Sequence, residues 1–138
     1  MNYLFLFLTV FLFHSSSENK ELTITISNIK NIEGELVLGL YNNGDRFLEA
    51  GEAYKTISRK VESSSEVIVI KNLPLGTYAV SLYHDKNSNG KCDRNFVGIP
   101  KEPYGFSNNF KPKFSAPKFE DCKFEFSSNQ NLQISLVH

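Results

Sequence analysis

The segment Thr77-Tyr-Ala-Val-Ser-Leu-Tyr-His84 runs directly into Asp85-Lys-Asn-Ser-Asn-Gly-Lys-Cys-Asp93. Within the first segment, Tyr78, Val80, Leu82 and His84 occupy alternate positions. A period of two places these side chains on one face of a β-strand, so the segment predicts a strand with one buried face. The second segment is rich in turn formers and predicts a loop that begins where this strand ends.

Other segments show the same strand pattern. Residues 22–26 and 35–41 alternate apolar and polar residues, and the turn formers between them give the spacing of a hairpin. Residues 66–71 are apolar on both faces, which is typical of a strand in the middle of a sandwich. The remaining predicted strands are residues 54–61, 122–126 and 132–137.

About seven short strands, without a helix longer than a turn or two, predict an all-β fold, an antiparallel β-sandwich. The exception is residues 95–118, which show no periodicity. This stretch is too rich in aromatic residues to stay disordered, so it predicts one long ordered loop packed over one end of the sandwich. Its aromatic residues are Phe96, Tyr104, Phe106, Phe110 and Phe114.

The chain begins with a continuously apolar stretch at residues 3–13, followed by small residues. This pattern predicts a signal peptide at residues 1–17 and a single β-sandwich domain at residues 18–138. The apolar core, at about 11 residues, is too short to cross a bilayer as a helix, and an uncleaved membrane anchor is the alternative. We therefore expect an exported protein, periplasmic or secreted, with no membrane span after cleavage.

Charge and composition exclude several classes of function. The 15 Lys and Arg residues balance the 15 Asp and Glu residues and are dispersed, so no basic stripe exists to bind nucleic acid. His84 and Cys92 could be considered as a base and a thiol nucleophile. No third orienting group is evident, and a packed histidine is the simpler interpretation of His84. We predict that the protein is not an enzyme.

The loop after the first quoted strand matches the front of a calcium-binding loop. Oxygen-bearing side chains at alternate positions converge on one point, and Gly90 takes the bend that needs a positive φ. Position twelve is Phe96 rather than a glutamate, so the loop is not an EF-hand. The predicted Ca²⁺ ligands are Asp85, Asn87, Asn89, the carbonyl of Lys91, Asp93 and, from the following segment, Glu102.

Two interpretations of this loop remain open. The first is a structural calcium ion held weakly, with a Kd of about 10⁻⁴–10⁻³ M because the loop itself carries few carboxylates. The second is a turn rich in Asp and Asn whose side chains bond their own backbone. Transition metals are not expected, since the other histidines lie in the signal segment and at the C-terminus.

The two cysteines and one aromatic surface each have two possible interpretations. Cys92 and Cys122 either form a disulfide in an oxidising compartment or are two separate apolar thiols. The surface of Tyr104, Phe106 and Asn108 either stacks on a carbohydrate or peptide or covers the core.

Four blocks of sequence, taken in order, resemble a known family. They are Leu73-Pro-Leu-Gly-Thr-Tyr-Ala-Val80, His84-Asp-Lys-Asn-Ser-Asn-Gly-Lys-Cys-Asp93, Gly98-Ile-Pro-Lys-Glu102 and Tyr104-Gly-Phe-Ser-Asn108. The chain is similar over residues 22–137 to the bacterial domain-of-unknown-function family 2141. The resemblance implies an exported β-sandwich of transthyretin, carboxypeptidase-regulatory-like or Ig-like type, without an established activity.

The departures from this family concern the cysteines. Cys92 stands where the family usually shows leucine, and Cys122 where it shows alanine. Their joint appearance favours a disulfide between them.

The sequence thus predicts an exported, non-enzymatic β-sandwich with a structural calcium loop at residues 85–93. The alternative is a carbohydrate- or peptide-binding envelope module that uses residues 98–110. The sequence names no partner.

Overall fold

The computed structural model describes residues 19–94 and 100–138. The predicted signal peptide and Phe96 lie outside the described residues. None of the helices in the described part is long and apolar enough to span a membrane. The described chain forms eight strands and one short helix: β1 (Leu22–Ser27), β2 (Glu35–Tyr41), β3 (Lys55–Lys60), β4 (Glu66–Ile70), β5 (Gly76–Asp85), β6 (Tyr104–Phe106), α1 (Phe119–Cys122), β7 (Phe124–Phe126) and β8 (Gln130–Ser135).

The strands form two sheets. One has the order β4-β1-β8, and the other has the order β3-β2-β5-β6, with β7 also paired to β5. All pairs are antiparallel except β1 with β8, which is parallel. The predicted all-β class is confirmed, and the sheets are mainly antiparallel, as predicted.

Both sheets contribute to one apolar core. The alternation seen in the sequence places every second side chain of β1, β2 and β5 inside. These side chains are fully buried or nearly so: Leu22, Ile24 and Ile26 from β1, Leu36, Leu38 and Leu40 from β2, and Tyr78, Val80, Leu82 and His84 from β5. Burying one such aliphatic side chain contributes roughly 1.5–3 kcal/mol, so this alternation is what holds the two sheets face to face.

Two predictions about strand placement are wrong. The segments at 22–26 and 35–41 do not form a hairpin, because β1 and β2 belong to different sheets. The apolar strand β4 is not in the middle of a sheet but at an edge, with β1 as its one neighbour among the described strands. Val67 and Val69 are accordingly 44 % exposed on its outward face.

The connection between β1 and β2 fixes the end of β5. Nε2 of His84 lies 2.7 Å from the carbonyl oxygen of Glu33. Gly34 has φ +66°, and a Cβ on it would lie 2.1 Å from the carbonyl oxygen of Asp85. Only glycine permits this approach, so the backbone where the Asp85 loop begins is held closely against the neighbouring chain.

The segment predicted as an irregular loop is more ordered than expected. It contains β6 and a 3₁₀ turn at Ser107–Asn109. It covers part of the outward face of the five-stranded sheet rather than one end of the sandwich, and there it forms a second apolar cluster around Ala79, Phe106 and Cys122. Phe114 was expected to be covered, yet it is fully exposed.

Candidate functional site

Asp85, the last residue of β5, organises the loop that follows it. Its side chain is almost fully buried. Oδ1 accepts a hydrogen bond from the N–H of Asn89 at 3.1 Å, and Oδ2 accepts one from the N–H of Gly90 at 2.7 Å. Gly90 has φ +75°, as its place in the pattern predicts. The carboxylate of Asp85 therefore closes the loop into a tight coil.

Asn87 and Asn89 face Asp93 across this coil. Nδ2 of Asn87 donates to Oδ2 of Asp93 at 3.0 Å, and Nδ2 of Asn89 donates to both Asp93 oxygens at 2.9 and 3.0 Å. These bonds, first from Asn89 and then from Asn87, lower the pKa of the Asp93 carboxyl. The four side chains predicted from the loop thus gather around one another.

The asparagine oxygens also bond the loop's own backbone. Oδ1 of Asn87 accepts from the N–H of Asn89 at 3.3 Å, and Oδ1 of Asn89 accepts from the N–H of exposed Lys91 at 2.9 Å. These contacts are those of the alternative interpretation, a turn stabilised by its own side chains.

Glu102 joins this cluster from outside the loop. It precedes β6 and is 6 % exposed. Its Oε2 accepts a hydrogen bond from the N–H of Asp93 at 3.5 Å. Burial raises the pKa of the Glu102 carboxyl, and the negative charges of Asp85 and Asp93 raise it further, against the opposing effect of the Asp93 N–H. Three carboxylates therefore lie close enough to repel one another.

The cluster is not a preformed metal cage. Within residues 19–94 and 100–138, no three side chains of His, Cys, Asp and Glu are arranged to hold a metal ion. Both oxygens of Asp85 are occupied by backbone N–H groups, and the amides turn their NH₂ groups toward Asp93. Direct coordination would require the two asparagine amides to rotate so that their oxygens face inward.

The two cysteines occupy different surroundings, and both are free thiols. Cys122 is fully buried in the second apolar cluster, where burial raises its pKa to about 12. Cys92 is partly exposed and lines a cavity on the outward face of the five-stranded sheet. The disulfide between them stays a prediction. His84 points into the core instead, so it does not share the surroundings of Cys92.

This outer-face cavity has a volume of about 760 Å³. Of the predicted ligand surface, Tyr104 and Phe106 line it. Asn108 does not, because its amide donates to the carbonyl of Lys123 at 2.9 Å. Asn108 therefore has a structural role.

The floor of the cavity was not predicted from the sequence. Gly39 of β2 lies between Thr56 of β3 and Ser81 of β5 in the sheet register. These three small residues lie side by side in adjacent strands, and the ring of Tyr41 lies over Gly39. The only signal in the sequence is that small residues occupy alternate, outward positions of two strongly periodic strands.

A family model described as "Uncharacterized protein conserved in bacteria (DUF2141)" matches residues 24–135. No curated protein and no solved structure matches the chain.

Proposed function

The chain belongs to the DUF2141 family of bacterial proteins, and from that premise we propose that it is an exported, non-enzymatic β-sandwich protein whose loop at residues 85–93 binds a structural calcium ion. The sandwich type that we propose is transthyretin-like, carboxypeptidase-regulatory-like or Ig-like. The place of action that we propose is the periplasm or the cell exterior.

The observation that carries the calcium proposal is the position of Glu102. This buried carboxylate comes from a separate segment, yet it approaches the backbone of Asp93. It adds a third carboxylate to Asp85 and Asp93, as the missing ligand of the loop would. A buried acid beside two like charges is unfavourable unless a cation compensates them, and Ca²⁺ prefers carboxylate and amide oxygens.

The competing hydrogen bonds set the strength of binding. Rotating the amides of Asn87 and Asn89 gives up their two bonds to the loop backbone and also their bonds to Asp93, at about 0.5–1.5 kcal/mol each. The ion gains two amide oxygens and the three carboxylates in return. We expect weak binding with a Kd of about 10⁻⁴–10⁻³ M, suited to an ion that braces the loop rather than one that signals.

A non-enzymatic role is supported by the environment of His84. Its ring is fully buried, and Nε2 is bound to the backbone of Glu33. It is therefore not available as a general base for a substrate at the surface. The thiol of Cys92, whose pKa is raised chiefly by burial, lies on the opposite side of the five-stranded sheet.

Calorimetric titration of the exported protein with CaCl₂ and a thermal melt test the calcium proposal. At 10 mM Ca²⁺, the expected stabilisation is about 1.4–2.7 kcal/mol, a rise in Tm of roughly 5–10 °C. Asp93→Asn and Glu102→Gln should weaken binding, whereas Asp45→Asn, in an exposed 3₁₀ turn, should not. No heat and no change in Tm at 10 mM Ca²⁺ would show that the loop is held by its own side chains alone.

The second candidate function is a carbohydrate- or peptide-binding envelope module that uses residues 98–110. The position of Tyr104 and Phe106 in the lining of the outer-face cavity favours it. A glycan array separates the two candidates, because a protein with a purely structural role should give no hits.

A further inference from the structure

The outer-face cavity is large enough for a small ligand. Its volume of about 760 Å³ lies within the roughly 300–1,000 Å³ of small-molecule sites. It lies on the outward face of β2 and β5, on the other side of the sheet from the core. Gly39 has no side chain, and the ring of Tyr41 lies over it, since a Cβ on Gly39 would lie 2.9 Å from that ring.

The walls of the cavity are aromatic and apolar. Tyr41 packs edge-on against Phe47 with ring centroids 5.1 Å apart, and Tyr104 packs edge-on against Phe106 at 5.9 Å. Such contacts hold the rings in place and leave Tyr faces for stacking. The side chain of Tyr83 completes this aromatic lining.

The described lining is poor in groups that bind sugars. It contains no Asp, Asn, Gln or His, and its one carboxylate is Glu49. Glu49 is already paired with Arg46 at 3.2 Å. A neutral sugar needs several side chains that accept and donate hydrogen bonds, whereas the floor here offers only the hydroxyls of Thr56 and Ser81 beside the tyrosines.

The rim of the cavity is positive. Lys91, Arg94 and Lys113 line it, and none of them forms an ion pair with a described carboxylate. Lys91 belongs to the predicted calcium loop, where its carbonyl is a predicted ligand. Arg94 also donates a hydrogen bond to the thiol of Cys92. Arg94, with its remaining N–H groups, and Lys113 are therefore the cations that can meet a negative group on a ligand.

We propose that this cavity binds a small organic anion, a flat aromatic or apolar body carrying one carboxylate or similar group. The body packs against the rings of Tyr41, Tyr83 and Tyr104, above Thr56 and Ser81, and the anionic group meets Arg94 and Lys113. Apolar walls with a few charged groups at one end are the usual composition of small-molecule sites. The inference stands apart from the calcium proposal, because neither Arg94 nor Lys113 is a predicted Ca²⁺ ligand, although Lys91 of the calcium loop also lines the cavity.

Calorimetric titration tests the proposal with a matched pair of probes, 2-naphthoate and the neutral 2-naphthamide. The full exported protein is titrated in EDTA, so that the result is independent of calcium. We expect 2-naphthoate to bind roughly tenfold more tightly than the amide, as two exposed cations predict. In a ¹⁵N-labelled sample, the amide signals of Gly39 and Ser81 should shift.

Two variants locate the site. Thr56→Phe, directly opposite Gly39, lays a ring over the floor and should abolish binding, whereas Thr25→Phe on the outward face of the other sheet should not. The double variant Arg94→Gln/Lys113→Gln should reduce 2-naphthoate affinity to that of the amide. The control Lys30→Gln/Lys71→Gln removes the same charge elsewhere on the surface and should leave affinity unchanged. Unchanged melting curves establish that each variant is folded.

Several results would overturn the proposal. Equal affinity for 2-naphthoate and 2-naphthamide would show that the cations do not contribute to binding. Binding of maltotriose or of a blocked neutral peptide, without 2-naphthoate binding, would assign the cavity to another ligand. A dimer in sedimentation that Thr56→Phe dissociates would assign it to a second copy of the chain. No binding of any probe would reject the site.

Discussion

Replacing Glu66 with glutamine exchanges one oxygen for an amide nitrogen, and we expect this small change to destabilise the protein at neutral pH. The Glu66 side chain is 5 % exposed at the start of β4. Its Oε1 accepts hydrogen bonds from the N–H groups of Glu62 at 2.7 Å and Ser63 at 3.0 Å. Its Oε2 lies 3.3 Å from Nε of Arg59. One carboxylate thus holds the turn that joins the two sheets.

The magnitude follows from these contacts. Glutamine keeps an oxygen for both N–H groups, so the loss is the difference between a charged and a neutral acceptor, about 1 kcal/mol per bond. Arg59 is half exposed, and its pairing adds no more than about 0.5 kcal/mol. We expect Glu66→Gln to lower the free energy of unfolding by about 2 kcal/mol at pH 7.

The effect should depend on pH. Burial alone would raise the pKa of the Glu66 carboxyl, but the bonds from Glu62, Ser63 and Arg59 outweigh it and lower the pKa. The folded-state pKa is therefore below the unfolded value of about 4.3, and the stabilisation is present above that pH. It is lost as the pH falls through the folded-state pKa, because the wild-type carboxyl then becomes neutral like the amide.

Urea unfolding followed by circular dichroism at pH 7 and at about pH 2.5 measures both effects. The difference of about 2 kcal/mol should fall below about 0.5 kcal/mol in acid. Glu62→Gln removes the same charge from an exposed position in the same turn and should change stability by less than about 0.5 kcal/mol. Equal stability of wild type and Glu66→Gln at pH 7, or a difference that persists in acid, would refute the reasoning.

Gly34→Ala should lower the free energy of unfolding by about 3 kcal/mol or more, because φ is positive there and a Cβ would clash with a carbonyl of β5. Gly51→Ala, with φ +77° and open space around it, should lower it by about 1 kcal/mol. Urea unfolding compares the two variants. Ser107→Ala removes a buried hydroxyl that forms hydrogen bonds with β5 and with the end of α1, so the free energy of unfolding should fall by about 2–4 kcal/mol. A decrease below about 1 kcal/mol would contradict this bridging role. In the reduced, folded protein, iodoacetamide at about pH 8 should label the partly exposed Cys92 and spare the buried Cys122, whose pKa is about 12. Peptide mapping without reductant tests whether the predicted disulfide joins the two cysteines.

The local sequence pattern was sufficient to predict much of the fold. The alternation in β1, β2 and β5 predicted which side chains are buried, because a strand places every second residue on the same face whatever its neighbours are. The positive φ of Gly90 and the convergence of the side chains around Asp93 also follow from short-range spacing.

Placement of the strands could not be predicted in the same way. Residues 22–26 and 35–41 look like a hairpin locally, yet they separate into two sheets. The apolar run of β4 was consistent with a central strand, but it lies at an edge. An apolar run shows that a strand can be buried on both faces, and it does not show which strands lie beside it. Phe114 likewise has an apolar side chain in a segment that leaves it uncovered.

The contacts within the Asp85 loop, among residues 85–93, were determined by the sequence alone. The tertiary structure decided what lies around it. It brought the buried Glu102 to Asp93 from a separate segment, and it aligned Gly39 with Thr56 and Ser81 to form the floor of the outer-face cavity. Spacing along the chain determines contacts within a turn or a strand, whereas contacts between distant segments depend on sheet order and register, which are set by packing of the whole core.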